Sequence, residues 1–279
     1  MPVTDLLHTA THCVLALRAA DGLHVVPLSF WYDGDALWST TTSAMADPDA
    51  LGAHDALAVL VPPADEGHPS LVMRGSIRVH SLEDPLALAL HAPTISAAMA
   101  ALAARNTGTL VGYARQVANM RSLRPHELRA SDITDRMVLR IRVASSLQVL
   151  PPTTTSAVVP ALPVAVPADV RRDLAGARDA VAVLDGYRLQ VLPARLADEG
   201  SVILPAEVRP PADPVDAVIV LTGQQRTDPD ARPRTSAALH GSLRGGTFEP
   251  ARATWWRSGR TGSTDIAGPP GPGPVVLPD

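Results

Sequence analysis

Five consecutive hydroxyl residues, Ser39-Thr40-Thr41-Thr42-Ser43, form a dense cluster of side chains able to do chemistry. Hydroxyls and backbone amides together can cradle a phosphate. The same run also reads as a β-favouring strand entering a turn, and the two readings stand side by side. The residues that follow, Ala44 to Asp49, bring two carboxylates, Asp47 and Asp49, and no cation. When exposed, each would cost a bound phosphate from a few tenths to about 1 kcal/mol. The sequence contains no lysine, so all 24 Lys-plus-Arg residues are arginine. Schiff-base chemistry and a Walker-type phosphate loop are thereby excluded. An anion here is held by arginine, hydroxyls or backbone amides. Arg74 and Arg78, in Arg74-Gly75-Ser76-Ile77-Arg78, are the cations that a neighbouring strand can offer.

Other reactive types are sparse. His8 and His12 stand at metal-ligand spacing on an expected helix over Val3 to His12, capped by Thr4 or Asp5. Two ligands without a third make a weak site, and no metal is expected. Cys13 is the sole cysteine, which rules out an intrachain disulfide and reads as a small buried apolar residue. Trp31, Tyr32 and Trp38 can stack on a ring or fill a core. Of the adjacent Trp255 and Trp256, only one can face a groove, because a strand alternates its faces. No Gly-x-Ser-x-Gly elbow or His-Glu-x-x-His helix is present.

These residues sit in a chain long enough, at 279 residues, for two ordinary domains. With 46% apolar residues it is globular, and a net charge of −4 opposes nucleic-acid binding. No apolar run spans a bilayer and no secretory signal opens the chain, so neither membrane nor export is expected and the location reads as cytoplasmic. Strands are expected at Cys13–Leu17, His24–Tyr32 and Ala36–Thr41, joined by turns at Ala20-Asp21-Gly22 and Asp33-Gly34-Asp35. A short helix or loop over Ala44–His54 precedes strands Ala56–Val61 and Leu71–His80, the second interrupted by Gly75 in the manner of a bulge. Helices are expected over Asp84–Ala104 and Thr109–Asn119. Arg136–Val143 then alternates, with Leu139, Ile141 and Val143 on one face. Six antiparallel strands close most simply as a barrel, which leaves no sticky edge.

The second half repeats this order. Asp21-Gly22 is matched by Asp185-Gly186, the Pro27/Gly34 spacing by Pro193/Gly200, and Ala56–Val61 by Ala217–Leu221. Arg74-Gly75-Ser76-Ile77-Arg78 is matched by His240-Gly241-Ser242-Leu243-Arg244. The expected organisation is a first barrel over 1–150, a Pro/Thr-rich linker over 151–168, a second, diverged barrel over 169–267, and a disordered tail over 268–279. An interface between two like subunits can then lie within one chain.

Val14 to Val79 resembles the flavin-nucleotide-binding split barrel shared by pyridoxamine-phosphate oxidases and deazaflavin-dependent oxidoreductases. The resemblance is carried by Cys13-Val14-Leu15-Ala16-Leu17, Asp21 to Pro27, Phe30-Trp31-Tyr32-Asp33-Gly34, Leu37-Trp38-Ser39-Thr40-Thr41 and Val72-Met73-Arg74-Gly75-Ser76. It implies a mainly β fold of two antiparallel split barrels with peripheral helices, a pseudo-dimer with a cofactor in the groove between barrels. Pro27, Leu28, Ser29 and Phe30 would line the cofactor ring, and Ser39, Thr40, Thr41, Thr42 and Ser43 would hold its phosphate. Arg74 would reach in from the neighbouring strand, and Trp256 would add a wall from the second barrel. The lysine usual after the hydroxyls is missing, and Leu204-Pro205-Ala206-Glu207 replaces the hydroxyl run in the second copy. The implied function is an FMN- or deazaflavin-dependent oxidoreductase acting on a small molecule. The alternatives are a cofactor-free descendant that binds a small molecule or a protein, and a haem protein with His24, His54, His80 or His240 as axial ligand. Either a monomeric pseudo-dimer or a homodimer is expected.

Overall fold

The computed structural model describes residues 2–42, 46–52, 54, 56–63, 68–81, 93, 95–98, 100–102, 136–153, 162, 164, 166–175, 177, 179–197, 201–222, 235–257 and 260–266. The first barrel is built from β1 (His12–Ala19), β2 (Gly22–Tyr32), β3 (Ala36–Thr42), β4 (Ala56–Val61), β5 (Ser70–Ser81) and β6 (Arg136–Val149). All its pairings are antiparallel, and it closes in the order β1-β2-β3-β6-β5-β4. Leu15, Leu17, Phe30, Leu37, Val59, Met73, Leu139 and Ile141 fill it, one from every second position along each strand. Two tight turns set up the meander. Gly22 and Gly34 there take φ of +130° and +102°, which side-chain-bearing residues rarely adopt.

Helices α1 (Val3–Thr9) and α2 (Pro48–Gly52) lie against this barrel. The first is shorter than expected. It starts at Pro2 with no side-chain cap and ends at Thr9, because the chain from Thr11 on is claimed by the sheet. His12 belongs to β1, so His8 and His12 do not share a helix face. Among the described residues no cluster of three or more His, Cys, Asp or Glu can hold a metal ion. Residues 95–98 and 100–102 are helical, and Ile95 and Ala98 cover Trp38 from outside. The expected Thr109–Asn119 helix and the 268–279 tail lie outside the described residues. No helix among the described residues is long and apolar enough to cross a membrane.

After α3 (Ala168–Leu174) come β7 (Asp179–Asp185), β8 (Leu189–Leu196), β9 (Val202–Ile203), β10 (Val215–Thr222), β11 (Thr235–Arg244), β12 (Thr247–Arg257) and β13 (Arg260–Asp265). They form a seven-stranded sheet in the order β13-β12-β11-β10-β7-β8-β9. β9 and β12 do not pair as neighbouring strands: Ser201, just before β9, bridges Thr247, and the Val202 amide donates to the Gly246 carbonyl at 2.7 Å. This unit is therefore a half-barrel whose strand order follows the first barrel, with β7 to β12 standing for β1 to β6. It opens at β9, the counterpart of β3, where Leu204-Pro205 follows a strand of only two residues. A proline there has no amide to donate to a ladder. Leu162 and Val166, from the proline-rich connection, pack into the second core. Arg257 ties α3 to β12 by bonding Asp169 and Asp173, both at 2.9 Å.

The repeated pentapeptide lies at one structural feature in both units. The ladder shifts between Arg74 and Gly75 in β5 and between His240 and Gly241 in β11. A Cβ on Gly75 would stand 1.8 Å from the Arg142 carbonyl oxygen, and one on Gly241 would stand 2.0 Å from that of Glu249. Backbone held on the neighbouring strand of a hydrogen-bonded ladder cannot give way, so each bulge requires glycine. Gly75→Ala and Gly241→Ala are each expected to cost about 1–3 kcal/mol. Urea denaturation would measure it, and wild-type midpoints for both variants would show that the bulges tolerate a side chain.

Candidate functional site

The ladder registers pair the two units position by position. Val14 of β1 faces Pro27 just as Val181 of β7 faces Pro193, and Ala58 of β4 faces Arg74 just as Val218 of β10 faces His240. The outward residues of both units then form one apolar layer in matched pairs. Val14 and Val181, Ala16 and Val183, Val25 and Val191, Ala58 and Val218, and Leu60 and Val220 are all buried in it. β4 crosses β8 while its counterpart β10 crosses β2, and β1 meets β7. This is the packing of an isologous dimer within one chain.

Arg18 of β1 and Asp185 of β7 are equivalent positions, and they touch. The Arg18 Nε–H donates to Asp185 Oδ1 at 2.6 Å, Nη2 contacts the same oxygen, and Nη2 donates to the Gly186 carbonyl at 3.1 Å. Equivalent positions in contact lie on the pseudo-twofold axis.

Beside that contact is a cleft of about 240 Å³ where the barrels meet. Three arginines converge on it: Arg18 from the end of β1, Arg74 from the β5 bulge, and Arg188 from the turn between β7 and β8. Ala56 and Leu189 give it an apolar floor, while Leu57 between Ala56 and Ala58 turns its side chain into the first barrel's core. Arg74 donates to the Leu189 carbonyl across a long 3.4 Å, so its other guanidinium N–H groups are not spent on that bond. Tyr187 is 95% exposed, with the Arg188 guanidinium 6.0 Å from its ring centre. On the other side of this turn a second cleft, about 360 Å³, is lined by Arg188, Gln190, Arg209 and Val215. With Asp185 offsetting Arg18, the first cleft keeps net positive charge over an apolar base. That arrangement suits an anion with a flat apolar portion.

The residues singled out in the sequence separate into two sets. Arg74 reaches the cleft and Trp256 lies buried in the inter-barrel layer, while its neighbour Trp255 packs on the second core. Pro27, Ser29 and Thr40 alternate with inward neighbours. Leu28, Phe30, Ser39 and Thr41 are buried on the opposite face, inside the first barrel, and this corrects the expectation that Leu28 and Phe30 line the cofactor ring and that Ser39 and Thr41 hold its phosphate. Ser39 Oγ–H donates to the Ser29 carbonyl at 2.7 Å. The second unit bears out the inward orientation, since Val202 and Leu204 hold the positions of Ser39 and Thr41 and both are buried. Ser43 and the side chain of Thr42 lie outside the described residues. The hydroxyl run is therefore largely barrel strand, and its phosphate cradle does not form from Ser39 and Thr41.

Trp38 is also structural. Its indole N–H donates to Asp33 Oδ2 at 2.6 Å, Arg140 lies over the ring at 5.3 Å, and His80 stacks on it at 6.2 Å. Burial raises the Asp33 pKa, but bonds from the Ala36 and Asp35 amides and from Trp38 outweigh it and leave the carboxyl below its usual range. Of the proposed axial histidines, His54 Nδ1 lies 3.1 Å from the Leu51 carbonyl and His24 bonds Asp21 at 2.8 Å. Arg18, Tyr187 and Arg188 were not legible as site residues. The available signal was an aromatic and an arginine in a turn, where small polar residues are usual.

His240, the counterpart of Arg74, sits half-buried with Thr254 Oγ1 3.4 Å from its Nε2. Burial, then Arg252, then His24 push its pKa down to about 4. The sign follows. Above pH 6.5 His240 is neutral folded or unfolded, and between 6.5 and 4 only the unfolded chain takes the proton. Stability should therefore fall with pH across that window, by up to about 3 kcal/mol. The lowered carboxyls of Asp21, Asp33 and Asp173 lose their contribution at lower pH, as they protonate. His240→Gln is expected to flatten the slope in urea titrations at pH 7 and pH 4.5, and an unchanged slope would remove His240 as its source.

No family model matches the chain and no curated protein matches it. Solved structures do. It is similar to the haem storage protein HutZ from Vibrio cholerae at 11% identity, covering 52% of this chain and 91% of that one with a TM-score of 0.37. An F420 reductase shares 20% identity over 53% of this chain and 97% of its own, TM-score 0.33. A FAD-binding protein from Mesorhizobium loti shares 18% over 51% and 88%, TM-score 0.35.

Proposed function

We propose that the chain binds an anionic, planar cofactor of the flavin-nucleotide class in the Arg18–Arg74–Arg188 cleft and acts as an oxidoreductase on a small molecule. The observation that carries this is the convergence of three arginines, from both barrels, on an apolar floor. The donor set fits the anionic end of such a cofactor, whereas the Ser39–Thr41 cradle does not. At about 240 Å³ the cleft is below the usual 300–1,000 Å³ of ligand pockets, so a flavin would remain partly exposed and lean on Tyr187. The bound cofactor would supply hydride or electron transfer. The protein's part is to grip the anion through Arg74 and Arg188, orient the ring on Ala56 and Leu189, and hold the turn in place through Arg18 and Asp185.

A cofactor-free binding role is the second reading. It is favoured by the burial of Ser39 and Thr41, which removes hydroxyls that a flavin phosphate would use. Titration of the purified protein with FMN, coenzyme F420 and haemin, read by absorbance and fluorescence quenching, separates the readings. FMN or F420 is expected to bind and Arg74→Ala to weaken it about tenfold, the value of one charge-assisted hydrogen bond. Ser39→Ala should leave affinity unchanged. Uptake of neither flavin nor deazaflavin would leave the cofactor-free reading, and a Soret band with haemin would favour haem.

A further inference from the structure

We infer that the chain has one anion site rather than two, selected by opposite charge at equivalent positions of the two barrels. This rests on the reading of the Arg74 cleft as the ligand site and goes beyond it by giving the number of sites and what forbids the second.

A symmetric pair of barrels has two equivalent clefts, one on each side of its axis. Here the registers say what stands at each counterpart position. Arg18 corresponds to Asp185, Arg74 to His240, and Ala56 to Asp216. Four residues separate Arg18 from Leu23 and three separate Asp185 from Leu189, so the turn Gly186-Tyr187-Arg188 answers as a whole to Ala19-Ala20-Asp21-Gly22. Two arginines of the first cleft are thus replaced by an aspartate and a histidine, Ala56 gives way to a carboxylate, and the turn that brings Arg188 is matched by one that holds Asp21 and no arginine. Arg252, beside His240 in the ladder, returns one positive charge to the second side. The axial pair of Arg18 and Asp185 offsets itself. What remains is a positive cleft carrying Arg74 and Arg188, and a counterpart where Asp21 and Asp216 outnumber Arg252.

Geometry reinforces charge. Where Arg74 stands exposed at the cleft edge, His240 is half-buried, and its surroundings hold it neutral at pH 7. Asp21 on the facing turn spends one oxygen on His24. An anion on that side would meet carboxylates and no arginine from the facing turn. The second barrel accordingly serves the site through its turn, Tyr187-Arg188-Leu189, and not by holding a ligand of its own.

The test is isothermal titration with inorganic pyrophosphate in low-salt buffer at pH 7.5, followed by FMN. One pyrophosphate per chain is expected. Arg188→Ala and Arg74→Ala should each weaken it about tenfold, and His240→Ala should change it less than twofold. Arg188 lies on an exposed turn, so its variant reports on the site even if Arg74→Ala fails to fold. Two pyrophosphates per chain, no binding, or affinity indifferent to Arg188→Ala would each overturn the inference. One pyrophosphate bound but no FMN would leave the single anion site standing and remove the flavin reading.

Discussion

The apolar layer between the barrels is the constraint on which the rest depends. Val14, Ala16, Ala58 and Leu60 point away from their own core, as do Val181, Val183, Val218 and Val220 from theirs. On a lone barrel they would form an exposed apolar patch of the kind soluble proteins avoid. Burying one such residue fully contributes roughly 1.5–3 kcal/mol, so the matched faces hold the two units in one orientation. That orientation sets where β4, β5 and the β7–β8 turn converge, and therefore where the cleft lies.

Symmetry in such an interface normally sets each residue on the axis against its own copy, and two arginines or two aspartates there would repel. Joining the units in one chain lifts that restriction, because the two positions are encoded separately. Arg18 against Asp185 is the result: an attractive, part-buried pair at a place where a homodimer would have like charges. On the proposed single-site reading, the same freedom lets one side of the axis be basic while its counterpart carries carboxylates. The half-barrel shows a further divergence. Its β3 counterpart is reduced to Val202–Ile203, while Phe248 and Leu243 still pack in its core.

Much of this architecture was legible from local signals. The Asp21-Gly22 and Asp33-Gly34 turns, the alternation of Leu139, Ile141 and Val143, and the paired Gly75 and Gly241 all report short-range geometry, and the strands and bulges followed from them. The match of Asp185-Gly186 to Asp21-Gly22 did not hold, because the ladders set Asp185 at the position of Arg18. The site was less legible, because it depends on which face of a strand a residue takes and on segments far apart in the chain. The hydroxyl run illustrates the first difficulty. Period two sends Ser39 and Thr41 inward, and composition alone does not give the phase. Arg18 and Arg188 illustrate the second, since only the docking of two barrels brings residues 170 positions apart to one cleft. His12 shows sheet pairing overriding a helical reading at a chain end, where α1 stops at Thr9.

A double-mutant cycle across the axis addresses the central claim most directly. Arg18→Ala, Asp185→Ala and the double variant would be compared by urea denaturation at pH 7.5 in low salt. If the two barrels meet through equivalent faces, the pair should show a favourable coupling of about 1–3 kcal/mol, within the range for groups in direct contact. Additive effects, with coupling inside about 0.5 kcal/mol, would mean the two residues do not meet, and the packing of the barrels would have to be redrawn.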